Sequence, residues 1–232
     1  MAVTIFDVKS ILICEIHPLK VTKEKASENR AALVKTASRL FREHGIDGVG
    51  VAEISKKAGL THGALYAQFV SKEALAAEAF SSALKPGLEK MTADRAGRPA
   101  TLTDLLDEYL SFDHRDNLGA GCPMSASASE VARQNDIVSE RFKEGFEQVV
   151  ALIEPGLGAS PVKADKRQRA LAMMAAMIGG VAASRAIAKA DPTLSNQILL
   201  AIRQIVGEVG GERARGLDGA RRGARAVRKR AG

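Results

Sequence analysis

The segment VAEISKKAGLTHGALYAQFVSKEAL, residues 51–75, has the pattern of two short helices joined at a glycine. Val51 and Ile54 lie on one face of the first helix. Gly59 then permits a sharp turn, because glycine adopts left-handed backbone conformations at little cost, and Thr61 is suited to cap the second helix. A helix, a turn of about three residues and a second helix make a helix-turn-helix, whose second helix can lie in the major groove of DNA.

The second helix of this pair is predicted to have one buried and one exposed face. Leu65 and Phe69 are spaced at i and i+4 and point to the same side, where burial of apolar side chains places them in the core. The opposite side and the start of the next helix carry small, polar and cationic residues. The candidate DNA-binding set consists of Thr61, His62, Gly63, Ala64, Tyr66 and Lys72.

The residues of this set suit contact with a duplex. The small Gly63 lets the backbone approach DNA closely, and the Tyr66 hydroxyl can donate to a phosphate. Lys72 follows Ser71, a predicted N-cap, so its ammonium group and the free N–H groups of that helix can meet a phosphate together. Two alternatives stay open: Tyr66 as a half-buried packing residue, and His62 as an exposed residue without a contact.

The preceding segment, SENRAALVKTASRLFREHG at residues 27–45, predicts an amphipathic helix. Its apolar residues recur at the spacing of one helical face. They are Leu33, Val34, Ala37, Leu40 and Phe41. Ser27 is predicted to cap this helix and Gly45 to end it. We therefore expect a three-helix domain that ends in the helix-turn-helix.

Residues 28–75 resemble the DNA-binding domain of the TetR family of bacterial transcriptional regulators. The positions that carry the resemblance are Ala37, Phe41, Gly45, Ile54, Ala58, Gly59, Gly63, Leu65, Tyr66, Phe69, Lys72 and Leu75. The rest of the chain is similar to that family only in length and helical character. The resemblance implies a homodimer, a double-stranded DNA operator with two half-sites, and a C-terminal domain that binds a small-molecule effector.

Composition favours an all-α globular protein in a reducing location. The chain has 232 residues, 46% hydrophobic and 26% charged, which suits one or two domains. Its longest apolar stretch, Ala170–Ala183, is too short to span a bilayer and predicts a buried helix. Cys14 and Cys122 are far apart, so we expect no disulfide framework and a cytoplasmic protein with no membrane contact. His17 and His114 have no second ligand at metal spacing, so neither a metal nor another cofactor is predicted.

The positive charge is concentrated at one end of the chain. Residues 213–232 hold eight basic residues against Asp218, which equals the whole formal net charge of +7. Residues 1–212 therefore balance at zero. A glycine-rich, like-charged run is typical of a solvated, disordered end. The alternative is weak, salt-sensitive attraction to phosphates.

We predict four regions in the chain. They are a loosely ordered N-terminal extension at residues 1–26, the helix-turn-helix domain at 27–75, a helical ligand-binding and dimerisation domain at 76–212, and the basic tail at 213–232. The extension lacks the features of a signal peptide, and an upstream start codon chosen for the reading frame would explain it equally well. The helices predicted for the third region are Ser71–Lys90, Leu102–Asp113, Pro123–Gln134, Ile137–Ile153, Asp165–Lys189 and Leu194–Glu208.

Two rows of small residues follow the apolar helix at a spacing of four. The rows are Ala175, Gly179 and Ala183, and Ala176, Gly180 and Ser184. Small residues let two helices approach closely, so with the helix after it this segment could form a four-helix dimer interface. The alternative is a core helix that packs only within its own chain.

The stretch LGAGCPMSASASE, residues 118–130, is the second candidate site. Pro123 suits the first position of a helix, which makes Cys122 its N-cap and predicts a thiol with a lowered pKa. This motif is similar to a segment of TetR-type regulators, some of which respond to electrophiles through a cysteine; the alternative is a buried, inert residue. The candidate ligand-binding or sensing set is Cys122, Met124, Tyr109, Phe112, Phe142, Phe146 and Met177.

These observations favour a ligand-responsive DNA-binding regulator, most simply a repressor that a small molecule or a reactive electrophile releases from its operator. One alternative is an architectural protein that binds DNA without sequence preference through the basic tail. Another is a small-molecule-binding protein with no role on DNA. An enzyme is not predicted, because the sequence shows neither a nucleophile–base pair at a readable spacing nor a phosphate-binding glycine loop.

Overall fold

The computed structural model describes residues 22–95 and 97–212. The predictions for the basic tail at 213–232 and for most of the N-terminal extension fall outside these ranges. The described helices are α1 (Lys23–His44), α2 (Val51–Lys57), α3 (His62–Tyr66), α4 (Lys72–Thr92), α5 (Leu102–Tyr109), α6 (Phe112–Asp116), α7 (Pro123–Val131), α8 (Asp136–Ile153), α9 (Lys166–Ile187) and α10 (Pro192–Gly210). Two 3₁₀ turns lie at Leu118–Ala120 and Glu154–Gly156. The predicted all-α fold is confirmed, since the described residues contain no strand beyond an isolated bridge between Asp94 and Pro99.

Helix α1 begins earlier than the sequence predicts. The Thr22 hydroxyl accepts a 3.2 Å hydrogen bond from the Lys25 N–H and caps the helix, so the prediction of Ser27 as the N-cap is wrong. Residues 23–26 are Lys, Glu, Lys and Ala, which all favour a helix, and nothing at Ser27 interrupts the helical hydrogen bonds. Gly45 ends the helix as predicted, with φ at 80°, a value that glycine adopts without strain.

The helix predicted at Leu102–Asp113 is two helices in the structure. Helix α5 ends at Tyr109, and the Ser111 hydroxyl accepts a 3.1 Å hydrogen bond from the His114 N–H to start α6. Serine competes with the helical ladder in this way because its side chain can satisfy a free N–H group at a helix start. The other predicted helices of this region begin and end within one turn of their expected bounds.

The apolar side chains form two core clusters that share helix α4. The N-terminal cluster includes Leu33, Leu40, Ile54, Leu65, Phe69 and Leu75, and the C-terminal cluster includes Leu84, Leu106, Met124, Ile153, Met173, Met177 and Leu199. Helix α4 supplies Leu75 to the first and Leu84 to the second. It also contains Pro86, which has no N–H to donate to the carbonyl of Ser82 and so interrupts the ladder near its C-terminal end.

Helix α9 lies against α10, and one row of its small residues makes that contact. A Cβ atom at Gly180 would lie 3.0 Å from Ile202 Cγ1, and the Ser184 hydroxyl donates to the Ser195 carbonyl at 2.9 Å. The other row, represented by Gly179 and Ala183, is exposed. By length and composition α9 could cross a membrane, and its methionine face lies in the C-terminal core.

Candidate functional site

The turn between α2 and α3 sets the direction of the candidate DNA-binding surface. Gly59 has φ at 72°, the left-handed conformation that the sequence predicts for this turn. The Thr61 hydroxyl accepts a 3.2 Å hydrogen bond from the Ala64 N–H, which confirms Thr61 as the cap of α3. Leu65 and Phe69 are buried, as predicted, and anchor α3 to the N-terminal core.

The outer face of α3 is open to solvent. His62 is exposed and Tyr66 is 50% exposed, and their rings meet edge to face with centroids 5.1 Å apart. A Cβ atom at Gly63 would have no other heavy atom within 4 Å. Neither internal packing nor a positive φ therefore requires glycine at this position, whereas close approach by an outside molecule would.

Lys72 occupies the first position of α4, beside this face. The Ser71 hydroxyl caps the helix through a 3.1 Å hydrogen bond from the Ala74 N–H, as predicted. Among the described residues no carboxylate pairs with Lys72. Its charge adds to the positive end of a 21-residue helix. Val70, which sequence reasoning missed, is 93% exposed at the same corner.

Arg30 of α1 holds the α3–α4 corner in place, a role that the sequence did not reveal. Its Nη1 donates to the Gln68 carbonyl at 2.6 Å, and its Nε donates to Glu78 at 3.1 Å. The guanidinium also lies 4.1 Å from the centre of the Phe69 ring. Arg30 is thus engaged with its own chain, although by sequence alone it counts among the basic residues of the DNA-binding unit.

A cavity of about 1140 Å³ runs from the side of α1 into the C-terminal core. Four residues of the predicted ligand set line it: Tyr109, Cys122, Met124 and Met177. Residues that sequence reasoning did not place there include Arg42, Leu84, Leu88, Met91, His114 and Met174. They come from α1, α4, α6 and α9, and only the tertiary packing brings them together.

Three residues of the predicted ligand set lie elsewhere. Phe142 and Phe146 pack against the C-terminal core from α8, and the Phe142 ring meets that of Phe80 at 5.7 Å. Phe112 is 42% exposed, with the Arg115 guanidinium 5.3 Å from its ring centre. None of the three is part of the cavity wall. The break between α5 and α6 redirects Phe112 away from the cavity.

Residues 33–79, which include the surface of α3 and the start of α4, match the family model described as bacterial regulatory proteins, tetR family. The match ends within α4 and contains the whole helix-turn-helix. The helix-turn-helix domain at residues 33–79 is therefore a TetR-family domain.

Individual relatives resemble the chain over different lengths. The regulator AcrR of Shigella flexneri is 40% identical over 57 residues, which are 25% of this chain and 26% of that protein, so the match spans about a quarter of the relative. The regulator LmrA of Bacillus subtilis (strain 168) is 25% identical over 176 residues, 72% of this chain and 92% of its own. The crystal structure of the reduced form of Escherichia coli NemR superposes with a TM-score of 0.62 at 21% identity, over 77% of this chain and 95% of that chain. The fold is therefore similar well beyond the matched DNA-binding domain.

Cys122 precedes α7 with Pro123 at the first helical position, as predicted. The thiol makes no capping hydrogen bond, which corrects the expectation that it faces the free N–H groups. The Cys122 N–H instead donates to His114 Nε2 at 2.9 Å, while His114 Nδ1 lies 2.6 Å from the Tyr109 carbonyl. Nε2 accepts and Nδ1 donates only in one neutral tautomer of His114. Burial lowers the pKa of His114, which favours this neutral form.

Arg185 of α9 fixes the same segment from the other side. Its guanidinium donates to the carbonyls of His114 (2.9 Å) and Arg115 (2.8 Å), and to the Ser125 hydroxyl at 3.1 Å. A Cβ atom at Gly121 would lie 2.5 Å from Arg185 Nη2. Glycine at position 121 therefore provides the space that the guanidinium occupies.

The Tyr109 hydroxyl is the unsatisfied polar group of the cavity wall. It is buried and has no hydrogen-bond partner among the residues that the structure describes. Burial raises the pKa of Tyr109, and the neighbouring Cys122 raises it further, so the phenol is a neutral donor. A buried donor without a partner is costly, and an acceptor atom from a bound molecule would remove that cost.

Proposed function

We propose that this TetR-family protein is a homodimeric transcriptional repressor that binds operator DNA through α3 and the start of α4, in the bacterial cytoplasm. The observation that carries the proposal is the open surface around Gly63 and Tyr66. This surface has no packing role in the described chain, yet it is held rigidly by the Thr61 and Ser71 caps and by Arg30.

The residues of this surface have complementary roles on a duplex. Gly63 permits close approach of the α3 backbone to the bases or phosphates. Tyr66 and Lys72 donate to phosphates, and Lys72 does so at a helix N-terminus, where free N–H groups add to the attraction. His62 and Val70 lie at positions where they would meet base edges or sugars. The role of each residue is part of the proposal.

A footprint at an inverted repeat in the DNA upstream of the protein's own coding region tests the proposal. Gly63→Leu should leave the unfolding free energy unchanged or slightly higher, because the new side chain enters open space and leucine favours the helix. Operator affinity, measured by fluorescence anisotropy, should fall at least tenfold. The matched control is Ala128→Leu, at an exposed position of α7.

Either of two results would contradict DNA binding by this surface. The first is unchanged operator affinity in the folded Gly63→Leu protein. The second is an equal loss in the Ala128→Leu control, which would assign the effect to a general consequence of added apolar surface.

A second copy of the chain is proposed to pack on α9 and α10. Leu194, Leu200 and Ile205 of α10 are 42%, 51% and 55% exposed, and the row of α9 that contains Gly179 is exposed as well. Covering such a face removes apolar area from water. Gly179→Arg should therefore convert a dimer to monomers in sedimentation velocity, with α-helical circular dichroism unchanged. A dimer that persists would exclude this face.

The effector is proposed to bind in the cavity and thereby to release the protein from its operator. It acts either by reversible binding or by covalent reaction with Cys122. The thiol lines the cavity together with Arg42. Burial lowers the pKa of the Arg42 and Arg185 guanidinium groups. A molecule held in the cavity would meet the thiol, and reaction with an electrophile proceeds through the thiolate form of cysteine.

N-ethylmaleimide provides a probe for the reactive branch. It should release the wild-type protein and a Cys14→Ser variant from the operator, and should not release Cys122→Ser. If Cys122→Ser responds like the wild type, sensing by this thiol is excluded, and reversible binding in the cavity remains as the proposed route.

A further inference from the structure

The walls of the cavity combine an apolar interior with an excess of positive charge. The interior is lined by leucine and methionine side chains, among them Leu84, Leu88, Met91, Met174 and Met177. The charged residues along the cavity are cationic except for Glu108, among the residues that the structure describes. The cationic ones are Lys35, Arg39, Arg42, Lys57, Lys90 and Arg95.

Most of these cations already have a carboxylate partner. Lys90 and Arg95 both pair with Glu108, at 2.6 and 2.8 Å. Arg39 and Lys57 pair with glutamates of their own helices, each at 2.8 Å. Lys35 is exposed at the mouth of the cavity, where water screens its charge.

Arg42 differs from the others because it is half-buried and makes no salt bridge among the described residues; the nearby Glu43 pairs with Arg39 instead. Its Nε donates to the Gly119 carbonyl at 2.9 Å, and its Nη2 donates to the same oxygen. A carbonyl carries no net charge, and none of the ion pairs within residues 22–95 and 97–212 includes Arg42. A partly desolvated guanidinium needs an anion to offset the loss of water, and its fork geometry suits a carboxylate.

The second unsatisfied group of the cavity also requires an acceptor. The Tyr109 hydroxyl is a buried donor without a partner, as described above. Arg42 and Tyr109 therefore both select for a ligand with acceptor oxygens. A cationic ligand would face the unpaired guanidinium and would offer no acceptor to Tyr109.

We propose that the effector is an amphipathic carboxylate, with its apolar body among the leucines and methionines and its carboxylate paired with Arg42. The inference rests on the proposed function and names the chemical class of the molecule that the cavity takes. The volume of about 1140 Å³ exceeds the roughly 300–1,000 Å³ of ordinary small-molecule pockets, so a long apolar body can be accommodated.

The test compares three probes that share a ten-carbon chain: decanoate, decanol and decyltrimethylammonium, each below its micelle concentration. Binding to the full-length protein without DNA is measured by isothermal titration calorimetry, since the chain has no tryptophan to report the event. Decanoate should bind at least tenfold more tightly than decanol, because a hydrogen bond to a charged group contributes about 1.5–3 kcal/mol. Decyltrimethylammonium should bind most weakly.

Variants assign the preference to Arg42. Arg42→Gln should bind decanoate and decanol with similar affinity, and Arg42→Lys should keep part of the preference because the charge remains while the fork is lost. The matched control is Arg133→Gln, two residues after the end of α7, where an exposed guanidinium also donates to a backbone carbonyl and does not line the cavity. Circular dichroism confirms that each variant is folded before it is titrated.

The outcomes separate this inference from the proposed function. Equal binding of the three probes, or a decanoate preference that survives in Arg42→Gln, overturns the assignment of an anionic ligand to Arg42. Operator affinity is measured separately by fluorescence anisotropy for the wild type and for every variant. Failure of the wild-type protein to bind the operator would contradict the proposed function. Decanoate preference with intact operator binding supports both.

Discussion

At the scale of single residues, small side chains mark the places where another group must come close. Gly121 and Gly63 illustrate two different causes. Gly121 has an extended backbone, so its requirement comes from the Arg185 guanidinium, which occupies the space of a side chain. Gly63 has free space where a Cβ atom would stand, so its requirement comes from outside the described chain.

Gly121→Ala should destabilise the fold by about 1–3 kcal/mol, the usual cost of overpacking a tight site. The new Cβ would displace Arg185 Nη2 and press on the Asn117 carbonyl at 3.0 Å, so three guanidinium hydrogen bonds would be strained. Urea unfolding measures the change. Gly87→Ala in α4 should not lose stability, because the new Cβ atom would meet no other heavy atom within 4 Å and alanine favours the helix. Equal effects at the two positions would refute the role assigned to Arg185.

His114 should make stability depend on pH. Its folded-state pKa is lowered by burial from the ordinary 6.5, so the unfolded chain binds the proton more readily. Stability from this residue is therefore complete above about pH 6.5 and is lost as pH falls through the folded pKa, with a slope of at most about 1.4 kcal/mol per pH unit. Urea midpoints between pH 7.5 and about pH 5 should fall less steeply in His114→Gln. An identical slope in the two proteins would rule out this contribution.

At the scale of helices, the corner between α3 and α4 is fixed by a side chain from α1. Arg30 joins the Gln68 carbonyl to Glu78 and covers the Phe69 ring, so three elements meet at one guanidinium. The residues proposed to contact DNA lie on either side of this corner. If this surface binds the operator as proposed, Arg30 is expected to act on DNA affinity through the position of Lys72 rather than through a phosphate of its own.

Arg30→Lys should weaken operator binding about tenfold without changing how affinity depends on salt concentration. Lys72→Gln should also weaken binding, and should reduce the slope of log affinity against log salt by about 1, because one phosphate contact and its released counter-ion are lost. Anisotropy titrations at several salt concentrations distinguish the two. A reduced slope in Arg30→Lys would place Arg30 on a phosphate.

The sequence predicted the elements whose signals are local. Gly45, Thr61 and Ser71 cap or end their helices as expected, because each signal depends on the backbone within a few residues. The break at Ser111 was missed because serine is tolerated inside a helix and acts as a cap only where the chain turns. The cavity wall and the roles of Arg30, Arg42 and Arg185 depend on contacts between residues distant in the chain, which no periodicity reveals.

At the scale of the whole molecule, side-chain contacts join the N-terminal domain to the C-terminal domain besides the shared helix α4. Arg42 of α1 donates to the Gly119 carbonyl, Glu130 of α7 accepts a 2.8 Å hydrogen bond from the Asp47 N–H, and the Gln134 amide donates to the Asp47 carboxylate at 3.0 Å. The first of these contacts borders the cavity. A ligand that competes for Arg42 therefore changes one of the contacts that set the two domains against each other, which gives it differential affinity for two arrangements.

Deleting residues 213–232 should preserve the choice of operator sequence. The segment carries the entire formal net charge, so its removal should lower affinity for unrelated DNA and flatten the salt dependence. Competition anisotropy with operator and scrambled duplexes measures both quantities. Loss of discrimination together with affinity would favour the architectural alternative, in which the tail rather than α3 holds the DNA.

Helix α4 places Lys72 and Pro86 on one rod, separated by about 21 Å at 1.5 Å per residue. The missing hydrogen bond at Pro86 makes the stretch beside the cavity the weakest point of that rod. A change of about 5° in direction there moves the distant end by about 2 Å, several times the roughly 0.5 Å range of hydrogen-bond distances. In a symmetric dimer the same change in both α4 helices would double the shift in spacing between the two DNA-contacting corners. A small movement caused by a bound molecule would therefore be enough to prevent both corners from fitting two successive grooves.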